Sequence, residues 1–559
     1  MISNTDNLLN SNVLIVFQNI LVNMWSTVFM FILVLTPSFG SDDLIVNLTA
    51  GNIRGHVLQS YEGNNYYAFQ EIPYAAPPVG ENRFQLPKPP EPWDGILNTT
   101  KNTKVCQQAN KYVLEKTEDC LYLNVYSPVK PGGNDKLPVL FWIHGGGLNW
   151  GSGTYNDYGP KYIMDYGIVV VAINYRLNAF GFASTDDDVI PGNLGLKDQR
   201  FALEWVNQHI NLFGGDPDHV TIAGESSGSA AVGLLVMGNW NGEKELFHAA
   251  IQESGSMIGG TLQTNAKENI IGLAKYLDPT FESEKSEDIL EVLKKASAED
   301  ILKAGRTYGN MIEKSGYYSL LPLQSFMDGN FKKVPMMIGF NSEEWIKYAT
   351  NRNNTNLLQG LDNDPSLLIH ANLNMSPENR TRAGVLMKQV YTNSTFMEDF
   401  AAYIRWSSDQ SFSTPTGKQI ELGCVHAPYF VYQFAYKGDL GGMMDDIYIV
   451  PGAERVGHME DLHYWWEFLN NNDMSQFPEE DQLMMRRFLT LWTNFIKYYN
   501  PTPKADPLLL NVTWPMSNPD SLTYLNINST FEVRENPRVY KDVKPIIEKY
   551  MEPPYVSFG

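Results

Sequence analysis

The chain has little cysteine and fewer positive than negative charges. Its 559 residues include 3 cysteines, none of them in the C-x-x-C spacing that many zinc sites use. The 63 acidic residues outnumber the 42 basic ones, and the formal net charge is −21. A nucleic-acid backbone or an anionic membrane would be repelled by this charge, so neither is an expected partner.

A long hydrophobic run is also absent. The apolar stretch from Val28 to Leu35 is too short to span a membrane. The small residues Ser38 and Gly40 follow it, and this arrangement predicts the core of a signal peptide with cleavage near Ser41. An uncleaved anchor is the alternative.

The amino-terminal segment has no positively charged side chain, since residues 1–53 contain neither Lys nor Arg. A signal peptide normally begins with a positive region, so Met24 is an alternative initiator that would make residues 1–23 an upstream extension. No linker, repeat or low-complexity stretch divides the remainder. We therefore expect a signal region in residues 1–40 and a single domain in residues 41–559.

Sequons for N-glycosylation give independent support for secretion. The carboxyl end, Y-V-S-F-G, is not an endoplasmic-reticulum retention signal, so we expect release to the extracellular space without a membrane partner after signal cleavage. The eight sequons are at Asn47, Asn98, Asn353, Asn374, Asn379, Asn393, Asn511 and Asn528.

Three cysteines allow one disulfide and one free thiol. Cys106 and Cys120 enclose a short loop, so we expect them to pair in an oxidising compartment. Cys424 has no partner in the sequence, and we expect it to be buried.

Continuous apolar strands separated by helical patterns dominate the chain from Pro138 onward. This pattern is typical of the α/β class, with a mostly parallel sheet covered by helices on both faces. Leu44–Ala75 alternates apolar and polar residues instead, which predicts hairpins in a small amino-terminal antiparallel sheet. A helix is predicted for the segment D-L-H-Y-W-W-E-F-L at residues 461–469. The predicted parallel strands include Val139–Ile143, Ile168–Ile173, Val220–Ala223, Val334–Phe340 and Ala427–Phe434.

Gly224–Gly228 spells G-x-S-x-G between a short β-branched strand and a run of small residues that can begin a helix. In that context the motif predicts a nucleophile elbow, a tight turn that exposes the hydroxyl of Ser226. The pentapeptide alone also fits an ordinary turn, so the rest of the chain must supply a base and an acid.

A serine nucleophile needs a base and a group that orients the base, in the chain order Ser, acid, His. His458 lies in a loop between a strand and a helical pattern, which is the context a base requires. Glu343 and Glu344 both follow the tip of a buried strand, and the pattern leaves the choice between them open. The other histidines well beyond the elbow are His370, His426 and His463.

The run His144-Gly145-Gly146-Gly147 directly follows a predicted buried strand. Backbone N–H groups of such a run, together with the N–H after the nucleophile, can bind the oxyanion of an acyl-transfer intermediate. A flexible glycine loop is the alternative interpretation.

Taken together, these motifs resemble the type-B carboxylesterase and cholinesterase family of α/β hydrolases over essentially the whole mature chain. The motifs that carry the resemblance are I-P-Y-A-A-P-P-V-G-E-N-R-F at 72, E-D-C-L-Y-L-N-V-Y at 118, H-G-G-G at 144, N-Y-R-L at 174, G-N-L-G-L-K-D-Q-R at 192, F-G-G-D-P at 213, G-E-S-S-G at 224, G-F-N-S-E-E at 339 and G-H-M-E-D-L at 457.

The resemblance implies a serine carboxylesterase that acts on small-molecule esters through an acyl-enzyme and needs no metal or organic cofactor. It is most similar to secreted insect carboxylesterases, for which pheromone, odorant or xenobiotic esters are candidate substrates. The implied catalytic residues are Ser226, Glu344 and His458, and the implied oxyanion donors are Gly146, Gly147 and Ser227. It also implies the Cys106–Cys120 disulfide and two ion pairs, Arg83 with Glu118 and Arg176 with Asp198.

The sequence departs from the family pattern at several positions. Ser227 replaces the usual Ala after the nucleophile, and Trp345 replaces the usual Gly after the acid. The Cys106–Cys120 loop has no choline-binding Trp, which speaks against acetylcholine, and G-E-S in place of G-Q-S speaks against juvenile hormone. Lipase action on long acyl chains and a neuroligin-like binding role remain as alternatives.

Overall fold

Eleven strands form one large sheet. Their order across the sheet is β16 (Phe531–Arg534), β15 (Tyr524–Ile527), β14 (Tyr429–Phe434), β13 (Met336–Asn341), β12 (Ala249–Glu253), β11 (Gly215–Glu225), β9 (Leu137–Ile143), β10 (Val169–Ile173), β8 (Tyr122–Ser127), β4 (Asn65–Pro73) and β3 (His56–Gln59). The structure is a computed structural model that describes residues 44–110, 114–238, 244–260, 262–351, 355–441, 449–468 and 474–559. The predicted signal region and the sequon at Asn353 lie outside these residues. Among the described residues, no helix has both the length and the hydropathy that a membrane crossing requires.

The middle of the sheet is parallel, from β10 through β15. Its strands are buried except for residues near the starts of β9 and β11. This confirms the predicted α/β class, because strands buried on both faces consist of continuous apolar residues. These strands are β9 (Leu137–Ile143), β10 (Val169–Ile173), β11 (Gly215–Glu225), β12 (Ala249–Glu253), β13 (Met336–Asn341), β14 (Tyr429–Phe434) and β15 (Tyr524–Ile527).

Antiparallel strands extend the sheet at both edges. The hairpin predicted near the amino end is present, but it continues the large sheet through β8 and does not form a sheet of its own. The separate three-stranded sheet, β1-β2-β5, contains a parallel pair, β2 with β5. The strands of the three-stranded sheet and of the edges of the large sheet are β1 (Ile45–Asn47), β2 (Asn52–Arg54), β3 (His56–Gln59), β4 (Asn65–Pro73), β5 (Ile96–Asn98), β8 (Tyr122–Ser127) and β16 (Phe531–Arg534). In a separate two-stranded sheet, β6 (Lys104–Cys106) pairs with β7 (Glu115–Thr117).

The helices connect successive strands, and contacts group Val46–Gly559 into one compact unit. They are α1 (Asn178–Phe182), α2 (Leu194–His209), α3 (Ser227–Met237), α4 (Ala266–Leu277), α5 (Ser286–Lys295), α6 (Ala298–Lys303), α7 (Pro322–Met327), α8 (Ile346–Asn351), α9 (Thr355–Asn363), α10 (Pro377–Tyr391), α11 (Phe400–Ser408), α12 (Thr414–Gly423), α13 (Glu479–Tyr498) and α14 (Tyr540–Tyr550).

The helix predicted near residue 461 is reduced to a single 3-10 turn, Asp461–Tyr464. The two tryptophans that follow are fully buried, and the rings of Trp465 and Trp466 lie 5.1 and 4.9 Å from that of Trp142 on β9. A helix would direct adjacent side chains about 100° apart, so packing of both rings on one strand favours irregular backbone here.

Cys106 and Cys120 form a disulfide in the structure. Cys424 is a free thiol and is half-buried, whereas the sequence led us to expect a buried one. Two ion pairs that the family resemblance implies are present, with nitrogen–oxygen distances of 2.5 Å for Arg83–Glu118 and 2.6 Å for Arg176–Asp198.

Candidate active site

Ser226 occupies a tight turn between β11, which ends at Glu225, and α3, which begins at Ser227. Its backbone has φ 58° and ψ −124°, a conformation that a residue with a side chain rarely adopts. The N–H of Ser226 donates to the carbonyl oxygen of Glu253 at the tip of β12, at 2.8 Å. The strand-turn-helix context and the strained backbone are those of a nucleophile elbow.

Close backbone packing explains the glycines on both sides of Ser226. A β-carbon on Gly224 would lie 2.6 Å from the carbonyl carbon of Gly228. A β-carbon on Gly228 would lie 2.2 Å from the carbonyl oxygen of Ile143, at the end of the neighbouring strand β9. Real β-carbons do not make contacts this short, so neither position accepts a larger residue without a backbone shift.

His458 and Glu344 form a buried pair. Nδ1 of the histidine lies 2.7 Å from Oε2 of the glutamate, and the N–H of His458 donates to the carbonyl oxygen of Glu344 at 3.0 Å. The other carboxylate oxygen, Oε1, accepts the N–H of Asn341 at 2.6 Å. The ring of Phe412 packs on the imidazole with centroids 4.7 Å apart. Together these contacts fix the orientation of the imidazole.

Glu343, the alternative that the sequence left open, faces away from His458. Its carboxylate accepts hydrogen bonds from the Ser408 hydroxyl at 2.8 Å and from the N–H of Glu454 at 3.0 Å. It also pairs with Arg538 at 3.0 Å. Its hydrogen-bonding capacity is therefore used in holding the loop, and Glu344 is the carboxylate that can orient the imidazole.

Further carboxylates that sequence reasoning did not single out surround the pair. Oε1 of Glu225 lies 3.1 Å from Nε2 of His458, which brings the imidazole next to the residue that precedes Ser226. Asp461 is fully buried, accepts the Asn341 side-chain amide at 3.0 Å, and has its pKa raised by burial to about 6. Glu225 and Asp461 stand inside the motifs G-E-S-S-G and G-H-M-E-D-L, but nothing in the sequence shows that they are buried.

Burial and charge act in opposite directions on the imidazole. Burial lowers the pKa of His458, but the carboxylates of Glu225, Glu344 and Asp461 outweigh that effect and raise it. For Glu225, an acid, burial has the opposite effect and raises the pKa, and the nearby imidazolium of His458 partly offsets this rise. The charged form of each group thus favours the charged form of the other. In the described part of the chain, no group of three or more His, Cys, Asp or Glu side chains is arranged to hold a metal ion.

The glycine run after β9 packs directly on the elbow. A β-carbon on Gly145 would lie 2.7 Å from the carbonyl oxygen of Glu225 and 3.0 Å from the β-carbon of Ser226. Gly146 and Gly147 both have left-handed backbone, with φ 103° and 61°. No acceptor within the described residues takes the N–H of either glycine, so both donors are free to bind an oxyanion.

An apolar cavity of about 330 Å³ lies beside the acid loop. Tyr348 forms part of its wall and also faces His458, with ring centroids 6.3 Å apart. Trp345 contributes another wall, and its indole N–H donates to the Ser411 hydroxyl at 2.9 Å. The remaining walls are Ala349, Leu357, Leu361, Leu367, Tyr403, Trp406, Ser407 and Gln410.

Comparison with known proteins matches residues 42–542 to the model of the carboxylesterase family. The chain is 32% identical over 529 residues to a juvenile hormone esterase of Tribolium castaneum, covering 86% of this chain and 87% of the relative. It is 32% identical over 525 residues to Esterase E4 of Myzus persicae, covering 88% and 92%. A pyrethroid hydrolase of Rattus norvegicus is 31% identical over 510 residues, covering 87% and 86%.

Among solved structures, the crystal structure of juvenile hormone esterase from Manduca sexta, with OTFP covalently attached, is similar to this chain. The TM-score is 0.79 and the identity is 27%, covering 91% of this chain and 99% of that one. The family match spans most of the chain, and the named relatives hydrolyse esters. The protein therefore belongs to the carboxylesterase family and is a carboxylic ester hydrolase.

Proposed function

We propose that the protein is a serine carboxylesterase that works through an acyl-enzyme, with Ser226 as nucleophile, His458 as base and Glu344 as the orienting acid. The observation that carries the proposal is the 2.7 Å contact between His458 and Glu344, with Nε2 of His458 3.1 Å from Glu225, the residue before the strained turn of Ser226. A base held by a carboxylate next to a serine hydroxyl is the arrangement that acyl transfer requires.

In the proposed mechanism, the hydroxyl oxygen of Ser226 attacks the ester carbonyl while Nε2 of His458 takes its proton. The carboxylate of Glu344 holds Nδ1–H and stabilises the imidazolium. The negative charge that develops on the carbonyl oxygen is bound by the N–H groups of Gly146, Gly147 and Ser227.

Collapse of this tetrahedral intermediate breaks the ester bond, and His458 gives its proton to the leaving alcohol. Water then attacks the acyl-Ser226 with His458 again as base. The second collapse returns the proton from His458 to Ser226 and releases the carboxylic acid, which then ionises in water. Each cycle consumes one water and needs no cofactor.

The substrates that we propose are esters with an extended apolar group. The cavity next to Trp345 and Tyr348 supports this choice, because its walls are mainly aromatic and aliphatic and its volume falls near the lower end of small-molecule sites. The relatives named for juvenile hormone and pyrethroids are consistent with this class, which includes pheromone, odorant and xenobiotic esters. Esters of long acyl chains are the second candidate, and the same apolar cavity favours them.

We further propose that the enzyme is secreted as a glycoprotein after cleavage of residues 1–40, leaving residues 41–559 as a single domain. Exposure of the sequons supports this, because a glycan needs a solvent-facing asparagine. Asn379 and Asn528 are partly exposed, and the exposed sequons are Asn47, Asn98, Asn374, Asn393 and Asn511.

Hydrolysis of a p-nitrophenyl ester series from acetate to palmitate, by secreted wild type and Ser226→Ala, tests the proposal. We expect the wild type to hydrolyse the esters and the variant to lose at least about 10³-fold in kcat. A folded wild type that hydrolyses none of the esters would contradict the proposal.

A further inference from the structure

The side chain of Ser227 connects the elbow to the glycine loop. Ser227 is the first residue of α3 and is 3% exposed. Its hydroxyl oxygen accepts the N–H of Leu148 at 3.1 Å, and Leu148 directly follows Gly146 and Gly147. The hydroxyl thus makes a direct contact between the two segments that supply the proposed oxyanion donors.

The other end of the glycine run is held next to the same hydroxyl. The Tyr175 hydroxyl donates to the carbonyl oxygen of His144 at 2.8 Å, and its ring stacks on His144 with centroids 4.4 Å apart. Burial raises the pKa of Tyr175, and the adjacent Ser227 hydroxyl partly offsets that rise. Ser227 is therefore close to groups that hold both ends of the run, His144 and Leu148.

The loop needs such restraint because three successive glycines have no side chains to pack and lose the most conformational freedom on ordering. The carbonyl oxygen of Gly146 accepts the N–H of Asn149 and of Trp150, at 3.1 and 3.2 Å. That of Gly147 accepts the Asn149 side-chain amide. These bonds set the direction of the peptide planes within the loop, but they do not fix its distance from the elbow.

Leu148 is held by two hydrogen bonds to residues outside the loop. Its backbone is left-handed, with φ 61°, a conformation that costs energy for a residue with a side chain. Its carbonyl oxygen accepts the N–H of Asn178 at 2.8 Å, and its N–H donates to the hydroxyl oxygen of Ser227. Both backbone polar groups of this strained residue thus have hydrogen-bond partners outside the loop.

We propose that Ser227, through its side-chain hydroxyl, is a positioning residue of the oxyanion hole. By holding Leu148, it keeps the N–H groups of Gly146 and Gly147 at the distance from Ser226 that the tetrahedral intermediate requires. The inference rests on the proposed function, and it concerns the hydroxyl alone, since any residue at position 227 would supply the backbone donor.

Kinetics of Ser227→Ala, with a short p-nitrophenyl ester as substrate, test the inference. Removing an oxyanion donor costs about 10² to 10³ in kcat, and displacing two donors slightly should cost about 10-fold, with KM changed less than about 2-fold. Affinity for a trifluoromethyl ketone, whose adduct places an oxyanion in the hole, should fall by the same factor. The position of the acid limb of the pH profile should not move.

Two comparisons separate positioning from simple loss of stability. Ser184→Ala removes another fully buried hydroxyl that accepts a backbone N–H, that of Asp186 at 2.9 Å, outside the site. It should lower Tm without lowering kcat. The side chains introduced by Ser227→Thr and Ser227→Val have the same shape, so the ratio of the two kcat values isolates the effect of the hydroxyl. This comparison holds even if Ser227→Ala does not fold. We expect the Thr variant to have about a 10-fold higher kcat than the Val variant.

Equal kcat values for wild type and Ser227→Ala, or for the Thr and Val variants, would overturn the inference while leaving the esterase proposal intact. A folded wild type that hydrolyses no ester would overturn both. Parallel losses in kcat and in affinity for the ketone, at constant KM, would support the positioning role.

Discussion

Nε2 of His458 lies 3.1 Å from Oε1 of Glu225, the residue that precedes the proposed nucleophile. In the proposed mechanism this nitrogen accepts the serine proton, so a buried carboxylate beside it affects the base in two ways. It stabilises the imidazolium once the proton has moved, and it also favours the imidazolium before the reaction begins. The rate at a given pH therefore depends on the charge of Glu225.

Replacing Glu225 by Gln removes one negative charge from beside His458. The carboxylates raise the pKa of His458 in the wild type, so the variant has a lower pKa and keeps the imidazole neutral to a lower pH. We expect the acid limb of the kcat/KM profile to move down by about one pH unit or more. Asp461→Asn is the matched control, with a shift in the same direction but smaller. An acid limb that stays in place or moves to higher pH would contradict this account.

The neighbouring carboxylates Glu343 and Glu344 should respond differently to the same substitution. Glu344→Gln leaves the shape of the site intact but removes the charge that stabilises the imidazolium, so kcat should fall by about 10³ to 10⁴. Glu343→Gln weakens a buried pair with Arg538 and should cost stability, about 1–3 kcal/mol, with kcat within about 3-fold of wild type. Steady-state kinetics and denaturant unfolding separate the two. The reverse pattern would assign the acid to Glu343.

Arg538 should be important for stability. Its guanidinium is largely buried, pairs with both Asp409 and Glu343, and donates to the carbonyl oxygen of Ser342 in the acid loop. Arg538→Met leaves two buried carboxylates without their cation, and we expect a loss of about 3–5 kcal/mol in the free energy of unfolding. An exposed pair, Arg534 with Glu532, provides the control, because Arg534→Met should change stability by less than about 1 kcal/mol. Equal effects of the two substitutions would contradict the assignment.

Filling the apolar cavity should change chain-length preference. Ala349 is 3% exposed and lines the cavity, so Ala349→Leu adds apolar volume where an extended ester group is proposed to lie. We expect kcat/KM for decanoate and longer p-nitrophenyl esters to fall about 10-fold, since lost apolar burial costs about 0.8 kcal/mol per CH₂. The value for acetate should change less than about 2-fold. A uniform loss across the series would show that the cavity is not part of the substrate site.

The parallel part of the fold could be predicted because strands buried on both faces consist of apolar runs. β12 was not recognised, since its sequence A-A-I-Q-E contains small and polar residues. One of its two polar side chains, Gln252, is satisfied only in the fold, where it donates to the carbonyl oxygen of Ser229 at 2.9 Å. Tertiary hydrogen bonding of this kind leaves no periodic signal in a sequence.

The candidate site, too, could be predicted from the sequence only in part. Position in a motif pointed to Ser226 and His458, because a nucleophile elbow and a loop after a strand have recognisable contexts. Glu343 and Glu344 are adjacent in the same loop, and their contacts distinguish them: Glu344 meets His458, whereas Glu343 binds Arg538 and Ser408. The effect of Glu225 on the imidazole depends on burial and on a long-range approach, and neither is visible in the sequence.

Stoichiometric labelling with a diethyl organophosphate, followed by peptide mass spectrometry, tests the central claim most directly. The account predicts one phosphoryl group per chain, attached to Ser226, with labelling slowed by at least about 10²-fold in His458→Ala because the serine loses its base. Labelling confined to another residue, or no labelling of a folded wild type, would contradict the assignment of Ser226 as the nucleophile.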